Sequence, residues 1–366
     1  MTHRIGFHVG ATRRGETLGV AHFGANLLAA LEAQAGVETA VLCEASARDV
    51  YPNSRTLVVD HDSTFDQPQI SSIDHLIQLH QFLARPADLP TTTVVHDLHV
   101  FDVAWKYGPG RDRLVEVFET NVLMSRWVAS HFPATIDALA SRYPTIADRL
   151  VLLEAPTLLE DFDLADDARQ WARDSFSLDT SVPSLLYPAQ LQAHKNHWNL
   201  LAALAILFSE GQPIRLILTG SSFREHHLVT LQTRAEQLGI GDLVHFAGYV
   251  SGEELRGLYA EVDAVISPSF AEGGAYIAQE AVIHGRPVAC SNIASAVAHL
   301  ERLDLQIPLF DPFVVSEIVS AIRDLIDNGE SITNGYANAL DIESSWTWEA
   351  MAAQLVELST RAEPVG

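Results

Sequence analysis

Short apolar runs alternate with segments of helical periodicity along the first half of the chain. The runs have the length of buried strands and lie at residues 5–9, 39–43, 55–59, 92–96 and 150–153. Apolar residues at helical spacing predict helices at residues 20–32, 73–83 and 114–124. Strands that alternate with helices indicate an α/β fold built on a parallel, doubly wound sheet.

The same alternation resumes after an acidic, polar stretch at residues 160–180, where we place a domain boundary. Strands are predicted at residues 184–187, 214–219, 244–246, 264–267 and 287–290, with a helix at 198–209. The sequence therefore predicts two Rossmann-like halves, an N-terminal domain of residues 1–165 and a C-terminal domain of residues 166–345. Two such domains normally face each other across a cleft in which ligands bind.

Residues 346–366 form the third predicted part of the chain. An amphipathic helix is expected at residues 346–358, and no strand follows it. Such a helix must bury its apolar face on a domain that is already folded.

Composition narrows the classes of partner. The 366 residues carry 23 Lys and Arg against 47 Asp and Glu, a net charge of −24, which repels a nucleic-acid backbone. Arg4, Arg13 and Arg14 form a local basic cluster that fits either an acidic acceptor or ordinary solvated surface. We therefore expect no nucleic-acid partner and at most peripheral membrane contact.

Cys43 and Cys290 lie far apart without metal-ligand spacing, so the sequence suggests neither a disulfide framework nor a zinc site. The N-terminus has no charged segment followed by an apolar run, and no apolar stretch is long enough to span a bilayer. A cytoplasmic protein is the resulting expectation.

The most informative segment is residues 266–280, ISPSFAEGGAYIAQE, where a strand leads through a glycine loop into a helix. Gly273 and Gly274 would let a ligand approach the backbone, and a helix N-terminus favours phosphate. Glu280 follows Tyr276 by one turn, so its carboxylate and that of Glu272 suit the hydroxyls of one ligand. The spacing fits equally well a Glu272 that caps the helix and a Glu280 on its surface.

Two further residues follow strands at the same kind of edge. Lys195 precedes a predicted helix and would add a point charge to an anion site, although a solvated surface lysine has the same pattern. His96 ends a strand and could bond a sugar or steer a proton, with Asp97 orienting its ring, or it could be merely hydrogen-bonded.

Other motifs carry less weight. The D-x-D triplets at residues 60–62 and 161–163 have the form of a divalent metal site, but such triplets are frequent in so acidic a chain. The loop at residues 13–19 lacks the dinucleotide fingerprint, and the P-loop and nucleophile-elbow motifs are missing from the sequence. We expect no metal and no cofactor.

The chain resembles the retaining glycosyltransferases of family 4, which have the GT-B fold. Their E-x7-E pattern looks like EGGAYIAQE at residues 272–280, and its continuation matches EAVIHGRPVACS at 280–291. Upstream, GYVSGEELRGLYAEVDAVISPS at residues 248–269 is similar to the family's approach to that motif. The resemblance covers nearly the whole chain and is densest at residues 185–295.

The resemblance implies roles for individual residues. Glu280 would bind the ribose and Glu272 the transferred sugar, while Lys195 would hold the diphosphate. Gly19 resembles the family's glycine turn beneath the phosphates, and His96 resembles its histidine near the sugar. Trp348-Glu349 resembles the family's last helix, so residues 346–366 are expected to pack back on the N-terminal domain. The remaining residues counted with the donor site are Asn196, Gly273, Gly274, Ala275 and Tyr276, with amides of the last loop facing sugar and phosphate.

Two departures from the family pattern concern the donor site. An arginine that commonly precedes the lysine is replaced by Ala189 with Gln190 beside it, and the aromatic residue and glycine of the usual loop are Gly274 and Ala275. One phosphate cation is missing, and the sugar pocket differs in shape.

By resemblance, the chain is expected to be a metal-independent retaining transferase. It would move a hexose from a UDP- or GDP-sugar to a glycan or lipid-linked saccharide acceptor. A nucleotide-sugar-binding subunit without turnover is an alternative, as is an epimerase or phosphorylase on the same fold.

Overall fold

A computed structural model describes residues 2–10, 18–44, 56–58, 70–83, 88–156, 166–178, 181–221 and 225–361. The chain divides into two compact units. The first comprises Met1–Leu158 with Ser344–Gly366, and the second comprises Leu159–Glu343. The predicted boundaries at residues 165 and 345 lie a few residues from these.

The first unit is built on a parallel sheet of seven strands in the order β3-β2-β1-β4-β5-β6-β7. Its strands are β1 (His3–Gly10), β2 (Val37–Cys43), β3 (Thr56–Val58), β4 (His75–Gln78), β5 (Thr91–Val94), β6 (Trp127–Ser130) and β7 (Leu150–Leu152). Its helices are α1 (Leu18–Glu32), α2 (His99–Asp102), α3 (Arg111–Met124), α4 (Pro133–Arg142) and, at the chain end, α14 (Trp348–Thr360). The order of the first six strands is that of a doubly wound dinucleotide-type sheet.

The helix predicted at residues 73–83 is wrong. Residues His75–Gln78 form the central strand β4, every residue of which is buried, and a loop follows at residues 79–83. Its apolar run HLIQL is too short to separate a buried strand from a helix by periodicity, which is how the prediction failed. Strand β6 and helix α4 were not predicted.

Helix α14 packs on the first unit although it lies at the other end of the chain. Its residues Met351 and Leu355 share a buried apolar cluster with α1 and β1. Trp127 Nε1 donates to the Leu358 carbonyl at 2.8 Å, which fixes the helix against β6. The apolar stripe of α14 is thus buried on the first unit, which the N-terminal part of the chain forms.

The second unit repeats the topology with six parallel strands in the order β10-β9-β8-β11-β12-β13. Its strands are β8 (Ser184–Pro188), β9 (Arg215–Thr219), β10 (Val244–Gly248), β11 (Ala264–Ser267), β12 (Val288–Ser291) and β13 (Leu309–Phe310). Its helices are α5 (Asp166–Phe176), α6 (His197–Ser209), α7 (Glu225–Gln237), α8 (Gly252–Glu261), α9 (Tyr276–Ile283), α10 (Ala294–Arg302), α11 (Val315–Asp327), α12 (Gly329–Thr333) and α13 (Ala337–Ser344).

The acidic stretch at residues 160–180 contains a helix that was not predicted because the stretch is so polar. Asp166–Phe176 is helix α5, which buries Ala168, Ala172 and Phe176 and packs against α8. The contact is close, because a side chain at Gly257 would meet the Ala168 carbonyl oxygen at 2.4 Å. Two acidic residues in the first turn of α5 also favour the positive end of its dipole.

Strand order reverses between β8 and β11, because the connection from β8 runs toward β9 and that from β11 runs toward β12. Ligands of doubly wound sheets bind beyond the carboxyl ends of the strands at such a switch point. The connections after β8 and β11 carry Lys195 and Glu272. The topology therefore brings these two predicted residues to one place.

Candidate functional site

Lys195 lies at the entrance to helix α6. Residues Ala193–Lys195 form a short 3₁₀ turn, and Asn196 then adopts a left-handed backbone conformation with φ of 59°. Asparagine is one of the few non-glycine residues that enter this region readily. The turn directs the chain into α6 at His197 and places the lysine beside the first turn of that helix.

Asn196 was predicted to bind the donor, but its side-chain amide is committed to the protein. The side chain is only 2% exposed, and Nδ2 donates to the carbonyls of Pro268 at 2.9 Å and Pro312 at 2.8 Å. These carbonyls lie just after β11 and β13. Asn196 therefore holds three connections together at the carboxyl edge of the sheet.

Lys195 and Glu272 form a close ion pair. Lys195 Nζ donates to Glu272 Oε1 at 2.6 Å and to Oε2 at 2.9 Å. Both side chains retain a little under a fifth of their exposure, so the pair is partly shielded from water while still accessible. The third ammonium proton of Lys195 has no hydrogen-bond acceptor among the described residues.

A chain of hydroxyl groups supports the carboxylate of this pair. Ser269 Oγ donates to Glu272 Oε1, and the Tyr187 hydroxyl lies 2.8 Å from Ser269 Oγ. The Tyr187 hydroxyl directs its proton to the Lys195 carbonyl at 3.0 Å, so it joins the two connections that carry the ion pair. Burial, followed by the charge of Glu272, raises the pKa of Tyr187 well above its usual value, which keeps that proton in place. These contacts hold the Glu272 carboxylate in one orientation.

The loop after Glu272 is anchored to helix α10. Ser295 Oγ donates to the Glu272 carbonyl at 2.6 Å, and the Ala275 amide donates to His299 Nδ1 at 2.9 Å. Burial, and then the charge of Arg302, lowers the pKa of His299 to about 3, so its Nδ1 is a neutral acceptor. The Ala275 amide, predicted to face the donor, is therefore taken by a side chain.

Tyr276 opens helix α9 with its ring against His299, with the ring centroids 5.5 Å apart and the planes at 86°. This packing fixes the N-terminus of α9 in the same place as the Ala275 hydrogen bond does. Gly273 and Gly274 stand between this anchor and Glu272, and they remain the predicted backbone donors of the loop.

Glu280 lies inside helix α9, not on its surface. Its side chain is 8% exposed, and Oε2 accepts from the Tyr259 hydroxyl at 2.8 Å. Burial raises the pKa of Glu280 to about 7, although the hydrogen bond from Tyr259 opposes that rise. No residue in the described part of the chain donates to the other oxygen, Oε1.

His96 lies two residues beyond β5 in the first unit. Its Nε2 donates to the Leu79 carbonyl at 2.7 Å, and its ring packs edge-on against Phe23 with centroids 5.2 Å apart. Burial lowers the pKa of His96, so the ring is neutral at pH 7. With the proton on Nε2, Nδ1 is left as a hydrogen-bond acceptor.

Asp97 does not orient His96 as predicted. Its Oδ1 accepts from the backbone amide of His99 at 2.9 Å, and Oδ2 lies 3.6 Å from His99 Nδ1. The hydrogen bond from that amide turns the Asp97 carboxylate toward α2. The carbonyl of Leu79, not Asp97, orients the ring of His96. Gln81 and Asn121 in turn fix the loop that carries Leu79, because Asn121 Nδ2 donates to the Gln81 carbonyl at 2.9 Å.

The other predicted residues are placed as follows. Gly19 is the second residue of α1, which begins two residues earlier than expected. Arg4 pairs loosely with Glu38 on the surface at 3.4 Å, whereas Arg13 and Arg14 lie outside the described residues. Both D-x-D triplets also lie outside them.

The described ranges contain neither a metal-ligand cluster nor a membrane-spanning helix. Within those ranges, His, Cys, Asp and Glu side chains form no group of three or more that could hold a metal ion. Among the helices of the same ranges, none combines the length and the apolar character needed to cross a bilayer. Cys43 and Cys290 are buried and are not joined by a disulfide.

The sequence did not reveal the supporting residues of the site. Tyr259 and Ser269 lie in the segment at residues 248–269 without an assigned role, and Tyr187 and His299 were given none either. Each contacts its partner only in the folded chain. What the four share is a polar group on a buried side chain, which only the structure shows. A polar group buried in that way needs a hydrogen-bond partner.

Comparison with known protein families finds one family model that matches most of the second unit. Residues 169–340, just under half of the chain, match the family model described as "Glycosyl transferases group 1". The segment includes β8 to α12, and with them Lys195, Glu272 and Glu280.

Among curated proteins, the MMP alpha-(1->4)-mannosyltransferase of Mycolicibacterium hassiacum is 30% identical over 131 residues, 34% of this chain and 31% of that protein. The D-inositol 3-phosphate glycosyltransferase of Corynebacterium glutamicum is 26% identical over 227 residues, 60% of this chain and 53% of that protein. The chain thus spans about a third to about half the length of these relatives.

Solved structures match almost the full chain. Sucrose-phosphate synthase from Thermosynechococcus elongatus has a TM-score of 0.75 at 18% identity, with 97% of this chain and 98% of that one covered. The Anabaena protein HepE in complex with UDP and glucose has a TM-score of 0.72 at 16% identity, with 97% and 98% covered.

WaaG, a glycosyltransferase involved in lipopolysaccharide biosynthesis, has a TM-score of 0.75 at 15% identity, with 98% and 100% covered. These likenesses confirm the predicted fold of two doubly wound domains, the GT-B class. The match to the glycosyl transferases group 1 model is confined to residues 169–340, within the second of these two domains.

Proposed function

We propose that the chain is a retaining glycosyltransferase that moves a hexose from a UDP- or GDP-sugar to a saccharide or lipid-linked glycan acceptor. The observation that carries the proposal is the Lys195–Glu272 pair at the switch point of a group 1 domain. A cation and a fixed carboxylate side by side suit a ligand that has phosphate at one end and sugar hydroxyls at the other.

The diphosphate of the donor would bind at Lys195 and the first turn of α6. Lys195 still has one ammonium proton to donate, and the helix of 13 residues directs its positive end to the same place. When the bond to the sugar breaks, negative charge grows on the diphosphate. Lys195 stabilises that charge more than it stabilises the intact donor, which is the condition for a faster reaction.

Binding of the donor changes the partners of Lys195. In the structure, the ammonium group donates two hydrogen bonds to Glu272. A bound diphosphate would draw the ammonium group partly away from that carboxylate. Glu272, still held by Ser269, would then accept from hydroxyls of the donor sugar. The ion pair thus keeps both groups ordered until the ligand replaces it.

The ribose would bind at Glu280. Tyr259 fixes Oε2, and Oε1 remains for the two ribose hydroxyls. Because buried Glu280 has a pKa near 7, its carboxylate form would be stabilised by hydroxyl donors as the nucleotide binds.

His96 would accept a hydrogen bond from a hydroxyl of the donor sugar through Nδ1. The support is the state of its ring, which is neutral and holds its proton on Nε2 against Leu79. Gly19 stays a prediction for the turn beneath the phosphates.

Metal independence and retention of configuration are also proposals. Lys195 and the α6 dipole supply positive charge of the kind that a metal ion would bring to a diphosphate. The buried Ala189, 6% exposed, leaves the usual second cation missing, so we expect a slower leaving-group step. For retention, the acceptor would attack from the face that the diphosphate leaves and give its proton to that diphosphate.

The decisive experiment measures release of nucleotide diphosphate from a panel of UDP-, GDP- and ADP-sugars, with and without EDTA. Lys195→Ala and Glu272→Ala should each lose about a thousandfold or more of the activity, as for loss of a charge-stabilising donor. Lys106→Ala is the matched control, because the chain has two lysines and Lys106 lies in the first unit beside the Tyr107 ring.

Three outcomes would contradict the proposal. Full activity in Lys195→Ala removes the assigned role. Binding of a nucleotide sugar without release of the diphosphate favours the alternative of a nucleotide-sugar-binding subunit without turnover. The missing cation at Ala189 is the observation that supports this alternative. Interconversion of sugars favours an epimerase. The configuration of the product, measured by NMR, decides between retention and inversion.

A further inference from the structure

An exposed aromatic pair lies beside the proposed donor site. Phe313 follows strand β13 and is 71% exposed, and its ring stacks on Phe270 with centroids 4.6 Å apart and planes at 25°. Phe270 stands two residues before Glu272, and its amide donates to the His194 carbonyl at 2.8 Å, next to Lys195. The stacked pair is therefore continuous with the Lys195–Glu272 pair through both connections.

Phe313 is held rigidly despite its exposure. Its amide donates to Asp311 Oδ1 at 2.8 Å, and the carbonyl of Pro312 accepts from Asn196 at 2.8 Å and from Asn199 at 3.0 Å. A single exposed apolar side chain needs no explanation. Here three hydrogen bonds fix the backbone at Pro312 and Phe313 and the ring is stacked on Phe270, so ligand binding costs little conformational entropy.

The rim of the pair offers oxygen atoms. Asp311 Oδ2 and Asn199 Oδ1 have no hydrogen-bond donor in the described ranges, and Asp311 itself is exposed. Glu317 adds a second carboxylate, because its Oε2 accepts from the Asp311 amide at 2.8 Å. An acidic rim disfavours a phosphate and favours a neutral ligand rich in hydroxyl groups.

We propose that Phe313 and Phe270 form a stacking subsite for a neutral pyranose ring of the acceptor. The C–H face of the pyranose would cover the exposed ring of Phe313, and its hydroxyls would donate to Asp311 and Asn199. The inference deepens the proposed function and rests on it for the identity of the ligand as acceptor. Pyranose binding itself does not depend on turnover.

The test is binding of methyl glycosides of the common hexopyranoses to the full chain, measured by saturation-transfer NMR and titration. At least one glycoside should show transfer confined to the hydrogens of one ring face. Phe313→Ala should weaken its binding about threefold to tenfold, the effect expected for one aromatic stack. Phe208→Ala, which removes a 45% exposed phenylalanine from α6, should leave binding unchanged.

Lys195→Ala should retain the glycoside affinity, which separates this subsite from the donor chemistry. If the chain releases no diphosphate from any donor but still binds the pyranose through Phe313, the proposed function fails and the subsite stands. The subsite is overturned if no glycoside binds at about 10 mM, a limit near the weakest useful affinity. It is also overturned if Phe313→Ala weakens the binding of UDP or GDP instead, or if Phe313 proves to join two copies of the chain. A third contrary result would be an octyl glycoside that receives saturation transfer on its alkyl chain and not on its sugar ring.

Discussion

The first six strands of the first unit have the same order as the six strands of the second, but the two sheets differ in chemistry at their carboxyl edges. In the second unit that edge carries the charged pair Lys195–Glu272. In the first unit the residues that follow β4, β5 and β6 are His80, His96 and His131. Burial, followed by the charge of His96, lowers the pKa of His80 to about 4, and burial also lowers the pKa of His96, so these two rings are poorly suited to carry charge.

The difference shows how one architecture supplies two kinds of recognition. A charged edge can hold a diphosphate and stabilise charge that develops on it. A neutral edge of imidazole rings offers directed hydrogen bonds to hydroxyl groups without attracting ions. Fold alone therefore assigns neither role, and the residues at the strand ends decide.

The units also differ in how the first helix of each sheet is covered. In the second unit α11 packs on α6 and follows the last strand directly. In the first unit the corresponding cover on α1 is α14, which comes from the far end of the chain. The first unit thus depends on a segment that the chain adds only after the whole second unit.

The largest expected effect tests that dependence. Leu355→Ala, at a fully buried residue of α14, should destabilise the first unit by about 2–5 kcal/mol through lost packing and a cavity. Leu325→Ala in α11 is the matched control and should act on the second unit instead. Urea unfolding followed by the six tryptophans and by limited proteolysis reports both units. If both variants destabilise the same unit equally, the first unit does not depend on α14 in the way described.

A second expectation concerns Glu280 and pH. Its pKa rises from 4.5 to about 7 because the folded chain buries it. The folded chain then binds the proton more tightly than the unfolded chain, so stability is highest below pH 4.5 for this group and falls as pH rises to 7. The full change is on the order of 3 kcal/mol.

Thermal unfolding of the wild type and of Glu280→Gln at several pH values measures this change. The glutamine variant should lose the dependence between pH 5 and 7. The buried histidines of both units act in the opposite direction, since their lowered pKa values cost stability as pH falls. If the two proteins show parallel profiles, Glu280 titrates near its ordinary value.

The third prediction compares the two edges directly. His96→Ala should reduce transfer about tenfold to hundredfold, the loss of one hydrogen bond to the reacting sugar, which is less than the loss in Lys195→Ala. Because the pKa of His96 is lowered, its protonation should leave activity unchanged between pH 6 and 8. A group with pKa near 6.5 that disappears from the pH profile of His96→Ala would show that the first edge is charged after all.

The smallest expected effect is that of Tyr259→Phe. Loss of its hydrogen bond to Glu280 should weaken donor binding about threefold to tenfold. The same bond lowers the pKa of Glu280, so its removal should shift the pH dependence of donor binding to higher pH. Titration of UDP at pH 6, 7 and 8 separates the two effects. Tyr249→Phe, at an exposed tyrosine, is the control.

Sequence patterns predicted most strands of both sheets, because buried parallel strands read as short apolar runs. They failed at residues 73–83, where burial of HLIQL on both faces removed the periodicity that distinguishes strand from helix. They failed at α5 because its polar face outweighs its buried alanines.

The site was predictable where topology alone determines it. Lys195 and Glu272 meet because both follow strands at the switch point. The contact of Glu280 with Tyr259 joins two helices across 21 positions, and that of Ala275 with His299 joins the loop before α9 to α10 across 24 positions. Such partners depend on helix rotation and packing, which no local pattern encodes.

The lysine content of the chain gives the ion pair a spectroscopic use. Lys195 and Lys106 are the two lysines among 366 residues. Reductive methylation with ¹³C-formaldehyde would therefore give two lysine signals, beside that of the terminal amine. The signal from Lys195 would move as a diphosphate replaces Glu272 around the ammonium group, and that of Lys106 would serve as an internal reference. The scarcity of amines thus turns the site into its own reporter of occupancy.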